Sequence, residues 1–123
     1  MSATGSFEVD LTPQEDIDAP AGRMLLRKTY EGGMSGSAVG QMISKRIDSG
    51  TAVYYAVEEF TGTVDGRAGA FTLLHQGRMS AQGQSLKITI LEGSGSGELA
   101  GISGSMAITQ DGTGHRYSLE YEV

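Results

Sequence analysis

Cysteine and tryptophan are absent from the 123 residues, and only two prolines and two histidines occur. Without cysteine there is no disulfide, no thiolate nucleophile and no sulfur ligand for a metal. With His75 and His115 as the only imidazoles, a zinc site would rest on carboxylates, so neither a metal nor another cofactor is expected. Basic residues are also scarce, 9 against 15 acidic ones for a formal net charge of −6, and they are scattered along the chain. Phosphate backbones demand a basic stripe, which excludes nucleic acid as an expected partner. No apolar run approaches the ~18 residues of a membrane span. The amino-terminal residues MSATGSFEVD carry neither the basic nor the apolar segment of a secretion signal. The expectation is a cytoplasmic protein with no membrane partner.

What is abundant is glycine, 19 residues where an average composition of about 7% gives roughly half that. Such a chain disfavours long helices and suits bent, coiled strands. Its length fits one domain over residues 1–123, with a first strand and an acidic loop within residues 1–22.

The most informative stretch runs from Tyr54 to Met79. Asp65-Gly66 lies between two runs rich in Val, Tyr, Phe, Thr and Leu, and Asp-Gly is the preferred pair of a type I′ hairpin turn. That turn fixes the register: Val64 opposite Arg67, Phe60 opposite Phe71, Glu58 opposite Leu73, Ala56 opposite His75, Tyr54 opposite Gly77. Because side chains alternate across a strand, all of these share one face, assigned to the interior. The other face holds Tyr55, Val57, Glu59 and Thr61 with Ala70, Thr72, Leu74 and Gln76. On the inner face Glu58 and His75 are diagonal neighbours among apolar residues, within mutual reach.

Elsewhere the patterns are shorter. Phe7, Val9 and Leu11 alternate with polar residues as in a half-buried strand, which Pro13 ends or places at an edge. Gln14 to Gly22 reads as an acidic loop. In Arg23–Glu31, Met24, Leu26 and Tyr30 share a face with Lys28. The segment Ser37–Ile47 fits a strand with Val39, Gln41, Ile43, Lys45 and Ile47 on one face, and fits a helix by i, i+3, i+4 spacing. Gly36, Gly40 and the turn residues Asp48-Ser49-Gly50 favour the strand, with Gln41 and Lys45 as candidates to point inward. A strand over Ser85–Leu91, a bent glycine-rich strand over Gly93–Gly104, and a hairpin from Ile102 through Asp111-Gly112-Thr113-Gly114 to Val123 complete the reading.

About eight long, mostly antiparallel strands lead to an all-β fold, a closed eight-stranded meander barrel whose interior holds side chains or one small ligand. An open sandwich is the other solution.

The run YAVEEFTGTVDGRAGAFTLLHQG followed by GSGSGELAGISGS resembles a family of small bacterial proteins of unknown function whose fold is similar to the allene oxide cyclase barrel. The resemblance is clearest from Tyr54 to Ser105. It implies the barrel, together with self-association into a homo-oligomer, and it brings no activity.

Chemistry then rests on few residues. Glu58 and His75 are the candidate catalytic or ligand-orienting pair, and equally a structural ion pair. Tyr54, Phe60, Phe71 and Leu73 are the expected apolar walls. Gly95-Ser96-Gly97-Glu98-Leu99-Ala100 matches a dinucleotide string but lacks the strand–turn–helix context that gives the string its meaning. The serines offer no nucleophile elbow. His115 is expected at the surface or the barrel mouth, Glu98 at the surface, and the methionines in the core or at contacts. Three functions follow as expectations: binding of a small, partly apolar ligand, proton transfer of an isomerase or cyclase type by Glu58 and His75, or a filled barrel acting through its outer face, where Tyr55, Val57 and Leu74 form a patch suited to subunit contacts.

Overall fold

Asp65 and Gly66 take φ of 48° and 85°, the left-handed pair a type I′ turn requires, and the strands they join have the register read from the sequence. In the computed structural model, which describes residues 1–15 and 18–123, β4 (Ala52–Val64) and β5 (Arg67–Ser80) pair without interruption from Val64↔Arg67 to Ala52↔Met79. Around them stand β1 (Ser2–Gln14), β2 (Gly22–Gly32), β3 (Met34–Arg46), β6 (Gly83–Ile90), β7 (Ser96–Gly97), β8 (Ser103–Asp111) and β9 (Gly114–Glu122).

The order β4-β3-β2-β1-β9-β8-β6-β5, closed by the β4–β5 pairing, makes an eight-stranded antiparallel barrel; two-residue β7 adds to β5 outside that ring. No helix is found among the described residues, and none long and apolar enough to cross a membrane. Part of the acidic connection expected over Gln14–Gly22, namely Asp16 and Ile17, lies outside the described residues. Pro13 does not end β1. It sits opposite Met24 in the β1–β2 ladder, beyond Phe7↔His115, the last pair between β1 and β9. It therefore stands on a stretch with a free edge, where a missing N–H costs no hydrogen bond.

The interior is packed toward the hairpin end. Ala3, Tyr30, Met34, Phe60, Val64, Phe71, Leu73, Ile88, Tyr117, Leu119 and Tyr121 form one buried cluster. Each large side chain among them contributes about 1.5–3 kcal/mol by leaving water. Leu99 and Ile102 belong to the same cluster. They come from the glycine-rich segment, which is not the single bent strand expected: between β7 and the start of β8 at Ser103 it is a series of turns that folds over the start of β5, where Glu98 N–H donates to the Ala68 carbonyl at 2.8 Å.

The opposite end is incomplete. The β8–β9 hairpin turns back at Asp111↔Gly114 through a two-residue loop. Its neighbours run on, so β1 has no β9 partner beyond Phe7. On the other side β6 meets β8 at only two pairs, Ile88↔Met106 and Thr89↔Ser105, although it pairs with β5 along its whole length. A window opens where the short hairpin stops. Leu11 and Leu86 flank it, inner-face residues by alternation with Phe7 and Ile88, yet 52% and 42% exposed.

β3 bears out the strand reading of Ser37–Ile47 as far as Arg46 and corrects its face. Met34, Ala38 and Gly40 are buried and point inward with Met42, in register with Val64, Phe60, Glu58 and Ala56. Val39, Gln41, Ile43 and Lys45 are therefore on the outside and exposed, so Gln41 and Lys45 do not reach the interior. The apolar odd positions misled the pattern because this part of the barrel carries apolar side chains on its outer face. Met34 and Met106 are core residues, Met24 and Met42 are half-buried, and Met79 is exposed.

Candidate functional site

Glu58 has no exposure at all. An isolated carboxylate in such a place costs several kcal/mol unless it is paired, and here three donors converge on it. Lys28 Nζ lies 3.0 Å from Oε1 and His75 Nε2 lies 2.7 Å from the same oxygen, while the Tyr30 hydroxyl donates a short hydrogen bond to Oε2. Lys28 and Tyr30 are on β2 and Glu58 is on β4. They meet across β3 because the intervening inward positions are Ala38 and Gly40, the partners of Lys28 and Glu58 in the two ladders. At Gly40 even a Cβ atom would come within 2.8 Å of the Val57 carbonyl and 3.3 Å of Glu58 Cβ.

Burial raises the pKa of Glu58, but the hydrogen bond from His75, the charge of Lys28 and the bond from Tyr30 together outweigh it and hold the group at about 2. Burial, reinforced by the Glu58 charge and hydrogen bond, drives the Tyr30 hydroxyl far above its ordinary range, so it keeps its proton and donates. Because the carboxylate is ionised, His75 presents Nε2–H to it, which leaves Nδ1 without a partner among the described residues. Lys28 uses a single hydrogen on Glu58, with the Phe7 ring 4.6 Å from its nitrogen. Its other two N–H groups meet no oxygen among the described residues.

The six residues singled out from sequence all lie on the inner face, at three levels. Phe60, Phe71 and Leu73 are sealed in the packed half, with the Phe60 and Phe71 rings 5.2 Å apart. Glu58 and His75 are brought together at mid-barrel. Tyr54 lies half-buried toward the open end, its ring lying on Gly77, where an added Cβ would fall 2.1 Å from two ring carbons. Lys28 and Tyr30 were not recognised as partners of Glu58, although the alternation of Leu26, Lys28 and Tyr30 already placed a lysine on an apolar face. His115 is half-buried at the mouth, stacked on Phe7 with ring centres 5.1 Å apart. Glu98 is exposed and accepts a hydrogen bond from the Ala68 amide at 3.2 Å.

The arrangement suits Glu58 to orienting its partners rather than to carrying a proton itself. A base held near pKa 2 is too weak to take a proton at neutral pH, and as a permanent anion it has none to give. What remains available is two unused donors on Lys28 and the second nitrogen of His75, whose lone pair can accept a hydrogen bond or a proton. Among the described residues no group of three or more His, Asp or Glu side chains is placed to hold a metal ion.

Comparison with known proteins gives two findings. A family model described as "Protein of unknown function (DUF3224)" matches residues 3–121. The chain is also similar to a protein of unknown function from Shewanella oneidensis MR-1, of the same family. The two are 34% identical over 99% of this chain and 96% of the other, with a TM-score of 0.90. No curated protein matches.

Proposed function

Since the chain belongs to the DUF3224 family, whose function is unknown, we propose from its own geometry that it binds a small, partly apolar molecule carrying an oxygen acceptor. The polar end sits against Lys28 and His75, and the apolar body lies along Leu11, Met24, Tyr54 and Leu86 in the open half of the barrel. One observation carries this reading: Lys28 is 7% exposed and keeps two N–H groups unspent beneath a window whose inner-face apolar residues are accessible. An ammonium already held by Glu58 and with hydrogens to spare is a preformed donor for a ligand oxygen. Glu58 orients the imidazole and balances the ammonium. Phe60, Phe71 and Leu73 form the packed backing behind the ligand.

The test is native mass spectrometry of gently purified protein, followed by titration with decanoate and with an anilinonaphthalene dye. The reading expects a retained mass or saturable uptake of one probe, weakened at least about tenfold by Lys28→Met, which removes one charge-assisted hydrogen bond. A barrel that retains nothing and takes up neither probe is a filled barrel, and the proposal fails.

A further inference from the structure

The outer face of β3–β5 is unlike the rest of the surface. β4 presents Val53, Tyr55, Val57 and Glu59 outward in that order, and Tyr55 and Val57 are 46% and 50% exposed. Val39 and Ile43 on β3 add 45% each, and Leu74 lies beside Val57 on β5. The face is hollow at this point: Ile43, Tyr55, Val57, Leu74 and Gln76 line a concavity of about 530 Å³ on the outside of the wall.

Charge on this face is divided along the strands. Next to Val53, toward the open end, stand Lys45 on β3 and Arg78 on β5, both exposed. Three outward-facing positions away on β4, toward the hairpin end, stands the exposed Glu59. On the same level Arg27 faces Asp10 across the β1–β2 ladder, so its charge is offset.

We infer that this face is covered by a second copy of the chain, related by a two-fold axis that runs across the strands between the Tyr55 and Val57 levels. That operation lays β4 on β4 in opposite directions. Tyr55 of each copy then meets Val57 of the other, and Glu59 of each falls on Val53, between Lys45 and Arg78. A two-fold axis along the strands would instead set Lys45 against Arg78, cation against cation, which the charge pattern opposes. The interface is isologous, so each favourable contact occurs twice.

Sedimentation equilibrium of the whole chain at low salt tests this. The wild type is expected to be a dimer that Val57→Glu converts to monomer. Glu59→Lys is expected to weaken it about tenfold, less so at high salt, as for exposed ion pairs. The triple exchange Glu59→Lys, Lys45→Glu and Arg78→Glu restores the charge pattern in reverse and regains the dimer. All four positions are on the outer face, and unchanged circular dichroism checks that each variant remains folded. A monomeric wild type overturns the inference, including one whose concavity holds a small molecule. So does a dimer indifferent to both Val57→Glu and Glu59→Lys.

Discussion

Lys28 Nζ and Glu58 Oε1, thirty positions apart in sequence, lie 3.0 Å apart inside the barrel, with side chains 6% and 0% exposed. An ion pair this deeply buried is held less by its own attraction than by the cost of breaking it.

Replacing Glu58 by Gln leaves the Lys28 charge buried without a counter-ion, and a loss of about 3–5 kcal/mol in urea unfolding is expected. Adding Lys28→Met to that variant should recover part of the loss, because the double replacement strands no charge. Additive effects of the two changes would show that the pair is not coupled.

Acid should act through the same carboxylate. The pKa of Glu58 is depressed from 4.5 to about 2 by folding. Its stabilising contribution is therefore complete above the unfolded value and is lost as the pH falls through the folded one. On the order of 3 kcal/mol is at stake between neutrality and pH 2. Unfolding free energies measured from pH 7 down to pH 2.5 should show this fall, and Glu58→Gln should flatten the profile.

Tyr117 ties β9 to the β2–β3 turn. Its hydroxyl donates to the Glu31 carbonyl at 2.8 Å and accepts from the Met34 amide at 2.8 Å. In Tyr117→Phe that buried amide loses its partner, and stability should drop by about 1–3 kcal/mol. A change below 0.5 kcal/mol, on the order of a neutral surface substitution, would mean that water replaces the hydroxyl.

Two glycines make a contrasting pair. A Cβ at Gly40 meets the Val57 backbone carbonyl, whereas at Gly77 it meets the half-buried ring of Tyr54, which can swing aside. Gly40→Ala should cost about 1–3 kcal/mol, as overpacking does in a filled interior, and Gly77→Ala less than about 1 kcal/mol. Thermal unfolding of the two variants reads the order directly.

At the window, Leu86→Glu adds charge to an inner-face residue that already meets water. Stability should change by no more than about 0.5 kcal/mol. If the open half holds the ligand, uptake of decanoate should fall by at least about tenfold through repulsion and loss of apolar contact; unchanged uptake would place the ligand elsewhere.

The central hairpin was legible because Asp65-Gly66 specifies one turn, and a turn specifies every pair above it. The Glu58–His75 contact followed from that register alone. Lys28 and Tyr30 escaped notice for a different reason: they reach Glu58 over an intervening strand, and only knowing that β3 turns Ala38 and Gly40 inward reveals the path. The sequence pattern points the other way, since Val39 and Ile43 give β3 an apolar face, continued by Ile47 just past its end, that is exposed in the structure. The glycine-rich segment was read as a strand because glycine density marks bends without saying whether a ladder survives them. Its two buried residues, Leu99 and Ile102, were the signal that it packs over the barrel end.

The thin β6–β8 contact also makes the ring a clasp. Every other junction in the circle is a ladder of six residue pairs or more, and this one has two. The cheapest large excursion from the native state is therefore a parting at Ile88–Met106 that swings the β8–β9 hairpin outward on β1 and turns the closed ring into an open sheet. In native-state hydrogen exchange, the amides of that seam should give up their protons ahead of those facing each other across β4 and β5. Synthesis brings this hairpin after the other strands of the ring, so the clasp that opens first is also the last part of the circle to close.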